Sequence, residues 1–194
     1  MRATEEFQYL AVLLSIILGL GLTQLLTGIG RLIQARARVR GYWPVLAWVA
    51  LLLLIHVQAW WAMFEMRAHA PWTFLEFGVV LLTPTGLYLM AALVLPDVAE
   101  ATEEGERLDL RAHYHAQTRW FYGAALLVVL SSLARPLALD GGIRRDADLA
   151  FHLVFTALAV VGLSSRRPRW HEVITGLMAA LLVSYVLLLF ARLR

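Results

Sequence analysis

The chain has 194 residues, of which 60% are apolar and 16% are charged, and its formal net charge is +3. A soluble domain usually carries about 25% charged residues, so the composition argues against a soluble enzyme or a nucleic-acid-binding module. The absence of Cys, Lys and Asn excludes disulfides, thiolate metal sites, Schiff-base cofactors and N-glycosylation.

Long apolar segments cover almost the whole chain. A helix needs about 20 apolar residues to cross the bilayer, and lipid admits only helices or closed barrels. These runs are continuous, without the alternation of barrel strands, and so predict an all-α polytopic membrane protein: a bundle of six transmembrane helices with short loops. The predicted helices, in one transmembrane domain over residues 1–194, are 7–33, 43–64, 72–95, 110–135, 149–165 and 170–191.

The arginines predict an orientation. With six crossings, loops 1, 3 and 5 share one side and hold nine arginines against seven on the other, with Arg119 counted as intrahelical. The positive-inside rule then favours these loops in the cytoplasm and both termini outside, in a plasma (inner) membrane. Glu5 and Glu6 precede the first segment, so we expect no secretory signal peptide. Two aromatic belts are predicted from Trp43, Trp120 and Trp170 on one side and Trp60, Trp61 and Trp72 on the other.

Small residues recur every four positions in two of the segments. In lipid, such stripes let helix backbones approach closely. Both packing inside one subunit and an interface between subunits are open, and we expect a homo-oligomer. The stripes are Ser15, Gly19, Thr23 and Thr27 in the first segment and Gly176, Ala180 and Ser184 in the sixth.

Polar residues inside apolar segments form the candidate site. Ionisable groups within a membrane are costly and are treated as functional by default. In the proposed topology a ligand or ion pathway would lie in the outer half of the bundle, formed by His56, Gln58, Glu65, Glu76 and His152. The alternatives are an interfacial polar rim for the two glutamates and a neutral structural role for His56. Gln24 must also find a partner, either across helices or in a pore.

Cofactor binding is left open by the sequence. His56 and His152 lie at similar depth, and facing histidines in a bundle are the arrangement that ligates haem. His113 and His115 follow an acidic loop, so a metal site with Glu103, Glu104 or Asp109 was weighed against a solvated helix start. Because a spacing of two places the histidines on different faces of a helix, we expect the solvated start and no metal site.

Several stretches resemble a group of small bacterial membrane proteins with no assigned function. The resemblance rests on Phe7–Leu10, Ser15–Thr23 and Arg31–Ile33, on Trp60–Trp61 and Trp72–Phe74, and on Asp109–Arg111 and Arg119–Phe121. It covers most of the chain and implies the six-helix fold. It implies no activity, cofactor or binding residue.

Two functional hypotheses follow. The first is a channel, transporter or sensor for a small ion or solute, with the polar site in the outer half. The second is a non-transporting scaffold or accessory subunit, and a haem-binding redox protein is a weaker third. No catalytic signature is present, which favours a role other than that of an enzyme without deciding the question. The expected partners are the lipid bilayer and further copies of the chain, and no nucleic acid.

Overall fold

The computed structural model describes residues 2–97, 107–139, 141–142 and 147–189. All six helices in this part of the chain are long and apolar enough to span a membrane, when α2 is counted with the 3-10 turn that follows it. They are α1 (Arg2–Gln34), α2 (Trp43–Ala62), α3 (Phe74–Val94), α4 (Leu110–Leu139), α5 (Ala147–Ser164) and α6 (Pro168–Leu189). The predicted all-α six-helix architecture is confirmed, and the chain is a multi-pass integral membrane protein.

Two helix boundaries differ from the prediction at prolines. The fourth helix was expected to end near Arg135, but α4 continues to Leu139 with Pro136 inside it. Membrane helices tolerate proline because neighbouring groups satisfy the freed backbone carbonyl. The sixth helix begins at Pro168, where the missing N–H of proline costs nothing. Residues 190–191 of the predicted sixth segment lie outside the described residues. So do four arginines of the charge count: Arg144, Arg145, Arg192 and Arg194.

Polar contacts join loops 1, 3 and 5 at one end of the bundle, which we call the loop-1 side. Strand β1 (Val39–Arg40) follows α1, and strand β2 (Leu108–Asp109) precedes α4. The two strands pair in parallel, so α2 and α4 leave this end in the same direction. Arg40 Nη1 lies 3.4 Å from Asp109 Oδ2, and Arg31 Nη1 lies 3.0 Å from Asp97 Oδ1. Exposed ion pairs contribute little to the free energy of unfolding. These two pairs hold loop 1 beside loop 3.

The opposite end holds the N-terminus, the turn between α2 and α3, and the start of α5; we call it the N-terminal side. The backbone N–H of Trp72 donates to Glu6 Oε2 over 3.4 Å. The Tyr185 hydroxyl, near the end of α6, donates to Asp148 Oδ1 at the start of α5 over 2.7 Å. The helices therefore alternate in direction, and loops 1, 3 and 5 lie together as predicted.

Close helix approach depends on glycine at a few positions. A Cβ added at Gly86 of α3 would lie 2.7 Å from Val128 Cγ2 of α4, and one added at Gly162 of α5 would collide with the Tyr122 ring. Without a hydrophobic drive between helices in lipid, such contacts supply packing energy directly. The buried core runs along the inner faces of all the helices and includes Leu25, Val45, Leu52, Leu87, Tyr122, Ala159 and Ile174.

Both small-residue stripes face away from the other helices of the chain. On α1, Thr23 and Thr27 are exposed, while Ser15 and Gly19 are half-buried. A Cβ at Gly19 or at Gly176 would meet nothing within 4 Å. On α6, the exposed stripe is Gly176, Ala180 and Ser184. These residues are therefore available to lipid or to a second subunit, and Gln24 is exposed on α1 as well.

Candidate functional site

A cavity of about 120 Å³ lies inside the bundle, in the half nearer the N-terminal side. Every one of the six helices contributes to its lining. Most of the lining is apolar, with residues such as Leu18, Ile55 and Leu87. The polar side chains on its wall are Gln58, Thr83, Ser132, Arg135, His152 and Tyr185. A largely apolar pocket with a few convergent polar groups is the usual form of a small-ligand site.

Two of the predicted site residues, Gln58 and His152, meet at this cavity. His152 is buried, and its Nδ1 lies 2.8 Å from the Asp148 carbonyl oxygen. Because a carbonyl can only accept, Nδ1 carries the proton in the neutral ring. Its Nε2 then accepts from the Ser132 hydroxyl, 2.9 Å away on α4. The position and tautomer of the imidazole are thus fixed by two helices.

His56 lies outside the cavity, on the opposite face of α2 from Gln58. Its side chain is fully buried and its Nδ1 donates to the Leu52 carbonyl oxygen over 2.6 Å. Among the described residues its Nε2 has no hydrogen-bond partner, and it lies against Gly21 of α1, where an added Cβ would collide with it. The structure therefore places His56 at the α1–α2 contact, as a neutral histidine bonded to a carbonyl.

The two predicted glutamates lie at the N-terminal side and do not line the cavity. Glu76 begins α3 as part of a capping box with Thr73, whose backbone N–H donates to Glu76 Oε2 over 2.7 Å. His69 Nε2 lies 3.8 Å from Glu76 Oε1. Glu65 is exposed on the 3-10 turn Met63–Ala68. A capping box satisfies free N–H groups at a helix start, which is a sufficient structural reason for Glu76.

Arg135 lines the cavity. It is one of the seven arginines that the charge count gives to the side opposite loops 1, 3 and 5, because Pro136 is expected to end the fourth helix. The continuation of α4 to Leu139 instead carries Arg135 into the bundle. It is half-buried and interacts electrostatically with Tyr185. An arginine preceding a proline inside an apolar run was the available signal.

A second, smaller cavity of about 50 Å³ continues from the first toward the loop-1 side. It is lined by apolar side chains apart from the indole of Trp48. The lining residues common to both cavities are Ile55, Leu87, Val128, Val129, Phe155 and Leu182. The interior of the bundle is thus a polar cavity followed by an apolar stretch.

Beyond Trp48 lies a group of polar residues, most of them aromatic and buried, which we call the inner cluster: Tyr42, Tyr114, His115, Tyr122, His171, Glu172 and Thr175. The Trp48 and Tyr122 rings are 6.1 Å apart. The Tyr114 and Tyr122 hydroxyl oxygens are 3.0 Å apart, and the Tyr114 hydroxyl is 3.4 Å from His171 Nδ1. His171 Nε2 donates to the Ser165 carbonyl oxygen over 3.0 Å. The hydroxyls and the imidazole therefore form one chain of hydrogen bonds.

The inner cluster was missed because the sequence around Tyr114 was interpreted as a solvated helix start. Tyr114 is only 4% exposed and Tyr122 is fully buried. A periodic signal was present: Tyr114, Thr118 and Tyr122 are four residues apart and therefore share one face of α4. The centroids of the His115 and His171 rings are 5.5 Å apart, so histidines of α4 and α6 meet here.

Tyr42 joins the inner cluster to the aqueous end of the bundle. It is buried just before α2, and its hydroxyl donates to Glu172 Oε1 over 3.4 Å. Burial, reinforced by the negative charge of Glu172, raises the pKa of Tyr42 to about 12. The phenol is therefore a neutral hydrogen-bond donor at physiological pH.

The structure does not bring together the histidines considered for haem. His56 contacts α1, whereas His152 bonds to Ser132 of α4. In the part of the chain that the structure describes, no group of three or more His, Asp or Glu side chains is arranged to hold a metal ion. Glu103 and Glu104, considered with His113 and His115, lie outside the described residues.

Comparisons with family models, with curated proteins and with solved structures find no match to this chain.

Proposed function

We propose that this protein binds a small solute in the central cavity and moves it across the membrane through the interior of the bundle. The observation that carries the proposal is the cavity of about 120 Å³ lined by all six helices, with polar groups on an otherwise apolar wall. Orientation is part of the proposal: with both termini outside the inner membrane, the cavity lies in the outer half.

The composition of the cavity wall supports a binding role. Protein interiors are close-packed, and a bundle that served only as a scaffold would fill this space with apolar side chains. Instead, Gln58, Ser132 and Arg135 reach it from α2 and α4. Polar groups at this depth in a membrane are costly and mark solute or ion pathways.

The apolar second cavity supports transport over simple binding. Its wall offers water few partners, and an apolar stretch of a pathway can close it by excluding water. Polar groups resume beyond it, at the inner cluster. We propose that the apolar stretch is the closed barrier of the pathway, and that solute passage requires it to widen.

The second candidate function is a scaffold or accessory subunit, which the outward-facing stripes favour. Exposed Thr23 and Thr27 on α1 and exposed Gly176 on α6 are suited to close helix contact with another chain. A homo-oligomer is compatible with either function. The two functions differ in whether the cavity contains water and admits solute.

Cysteine accessibility tests for water in the cavity. The chain contains no Cys, so single variants can be labelled without background. Ser132→Cys places a thiol on the cavity wall, and Ser184→Cys places one on the outer face of α6 in the same half of the bundle. Charged methanethiosulfonate reagents attack thiolates, which form in water and not in hydrocarbon. In permeabilised membranes we expect Ser132→Cys to react and Ser184→Cys to be protected.

A flux measurement tests transport itself. Stopped-flow light scattering of proteoliposomes would follow the uptake of urea, glycine, sodium acetate and ammonium chloride. Ser132→Trp should fill the cavity and abolish any protein-dependent flux, whereas Leu153→Trp, on the exposed face of α5 and outside both stripes, should leave it unchanged. An unreactive Ser132→Cys, together with no flux for any of these probes, would leave the scaffold as the better function.

A further inference from the structure

We infer that the solute is a small organic anion, a short-chain monocarboxylate whose carboxylate pairs with Arg135. The inference rests on the proposed function and assigns its substrate class. It is carried by the charge, the size and the apolar wall of the central cavity.

Charge gives the first argument. Of the described residues that line the cavity, Arg135 alone bears a fixed charge, and none is acidic. Arg135 forms no ion pair with a carboxylate in the described part of the chain. A half-buried cation on an apolar wall attracts an anion more strongly than a cation in open water does. The guanidinium is planar and matches a carboxylate with two parallel hydrogen bonds.

Two acidic residues outside the lining, Asp148 and Glu65, act on the wall residue Tyr185, and Asp148 is hydrogen-bonded to it. Asp148 Oδ1 accepts from the Tyr185 hydroxyl over 2.7 Å and lies 3.5 Å from His152 Nδ1. Asp148 does not line the cavity. Arg135 therefore supplies the fixed charge that contacts a solute in the cavity. The Gln58 amide can donate a further hydrogen bond.

Size and apolarity give the second argument. Taking ~30 Å³ for each water-sized group, the cavity holds about four non-hydrogen atoms, which is the size of acetate. Leu18, Ile55 and Leu87 offer an apolar surface to a short alkyl chain. Each added methylene should tighten binding by about fourfold until the cavity is full.

The anion could be supplied by a free solute or by a lipid headgroup, since both pair with arginine. The lining by all six helices favours the free solute over a headgroup held at the membrane surface. Short carboxylates and phosphate monoesters therefore need to be compared directly.

Isothermal titration calorimetry on the purified protein in detergent tests the inference without requiring transport. The probes are sodium acetate, propionate and butyrate, the neutral isostere propionamide, and methyl phosphate. We expect propionate to bind at least tenfold more tightly than propionamide. Arg135→Gln should abolish this preference, and Arg135→Lys should retain part of it. Arg119→Gln, which removes an exposed arginine far from the cavity, should behave as wild type.

Three results would overturn the inference: equal binding of propionate and propionamide, binding of methyl phosphate without propionate, or no binding of any carboxylate. Gel filtration identifies variants that do not fold. If Arg135→Gln aggregates, the ratio of propionate to propionamide affinity in Arg135→Lys decides the matter. If Ser132→Cys is water-accessible while carboxylates fail to bind, only the substrate class is wrong. If Ser132→Cys is inaccessible and the proteoliposomes take up none of the flux probes, the proposed function falls with it.

Discussion

At the scale of single residues, the clearest structural role in this bundle belongs to a glycine that packs against a polar side chain. Gly21 of α1 leaves the space that the buried ring of His56 of α2 occupies. Within the part of the chain that the structure describes, one nitrogen of this imidazole makes no hydrogen bond. His56 thus lies at a helix contact outside the cavity, and its role in a solute pathway stays a prediction.

Gly21→Ala should destabilise the folded protein by about 1–3 kcal/mol, the usual cost of overpacking a tight contact. The added methyl group would collide with His56 Nε2. Gly19→Ala is the matched control, because its Cβ meets nothing within 4 Å and alanine favours helix. Thermal unfolding in mild detergent, followed by fluorescence-detected gel filtration, gives the comparison. Equal melting temperatures for the two variants would contradict the His56 placement.

Tyr42 gives a prediction about pH. A tyrosine in the unfolded chain ionises near pH 10, whereas folded Tyr42 keeps its proton to about pH 12. Proton release then favours unfolding in this window, so the stability that Tyr42 contributes is present below pH 10 and is lost toward pH 12. The loss should be ~2 kcal/mol or less. Tyr42→Phe should flatten the fall in melting temperature with pH, and the exposed Tyr88→Phe should not.

At the scale of helices, the apolar runs of the sequence were sufficient to predict how many secondary-structure elements span the membrane and that they are helices. Twenty or so apolar residues in lipid have no alternative to a helix, so Trp43–Ala62 and Phe74–Val94 follow from composition. The end of α4 was predicted wrongly, because proline is a weak stop signal inside a membrane. For the same reason Arg135 was not predicted to line the cavity, where the continuation of α4 beyond Pro136 places it.

The candidate site was predictable in part, for a similar reason. Gln58 and His152 were found because polar groups are rare in apolar segments. Which face of each helix points inward depends on the packing of all six helices. The spacing of residues along α2 therefore does not reveal that Gln58 lines the cavity while His56 contacts α1. The inner cluster needed the α4–α6 contact, which joins Tyr114 to His171 across 57 positions of sequence.

The outward-facing stripes give a prediction at the same scale. Gly19→Leu on α1 or Ala180→Leu on α6 should shift the protein to smaller species in mild detergent while its melting temperature is kept. A bulky side chain on a stripe prevents the close backbone approach that joins membrane helices. Ala157→Leu, on an exposed face of α5, is the matched control. Unchanged mass for both stripe variants, by light scattering, would show that neither stripe joins subunits.

At the scale of the whole molecule, the fold determines which residues lie at the same end of the bundle. The orientation in which the chain inserts into the membrane determines which end faces outside. The strand pairing of loops 1 and 3 and the Tyr42–Glu172 bond define the loop-1 side. The Trp72–Glu6 and Tyr185–Asp148 bonds define the other. The central cavity belongs to the second of these halves, so the orientation of the chain decides from where a solute would enter.

Single-cysteine labelling of intact cells should establish that orientation. Arg38 and Ala70 are exposed on the loop-1 side and the N-terminal side respectively. Because the arginine-rich loops favour the cytoplasm, an impermeant maleimide should label Ala70→Cys in intact cells and Arg38→Cys only after permeabilisation. The opposite pattern would place the termini in the cytoplasm. In either case a charged thiol reagent should reach Ser132→Cys from the side on which Ala70→Cys is labelled, because both lie in the same half of the bundle. Labelling of Ser132→Cys only from the Arg38 side would contradict the position of the cavity itself, whichever way the chain crosses the membrane.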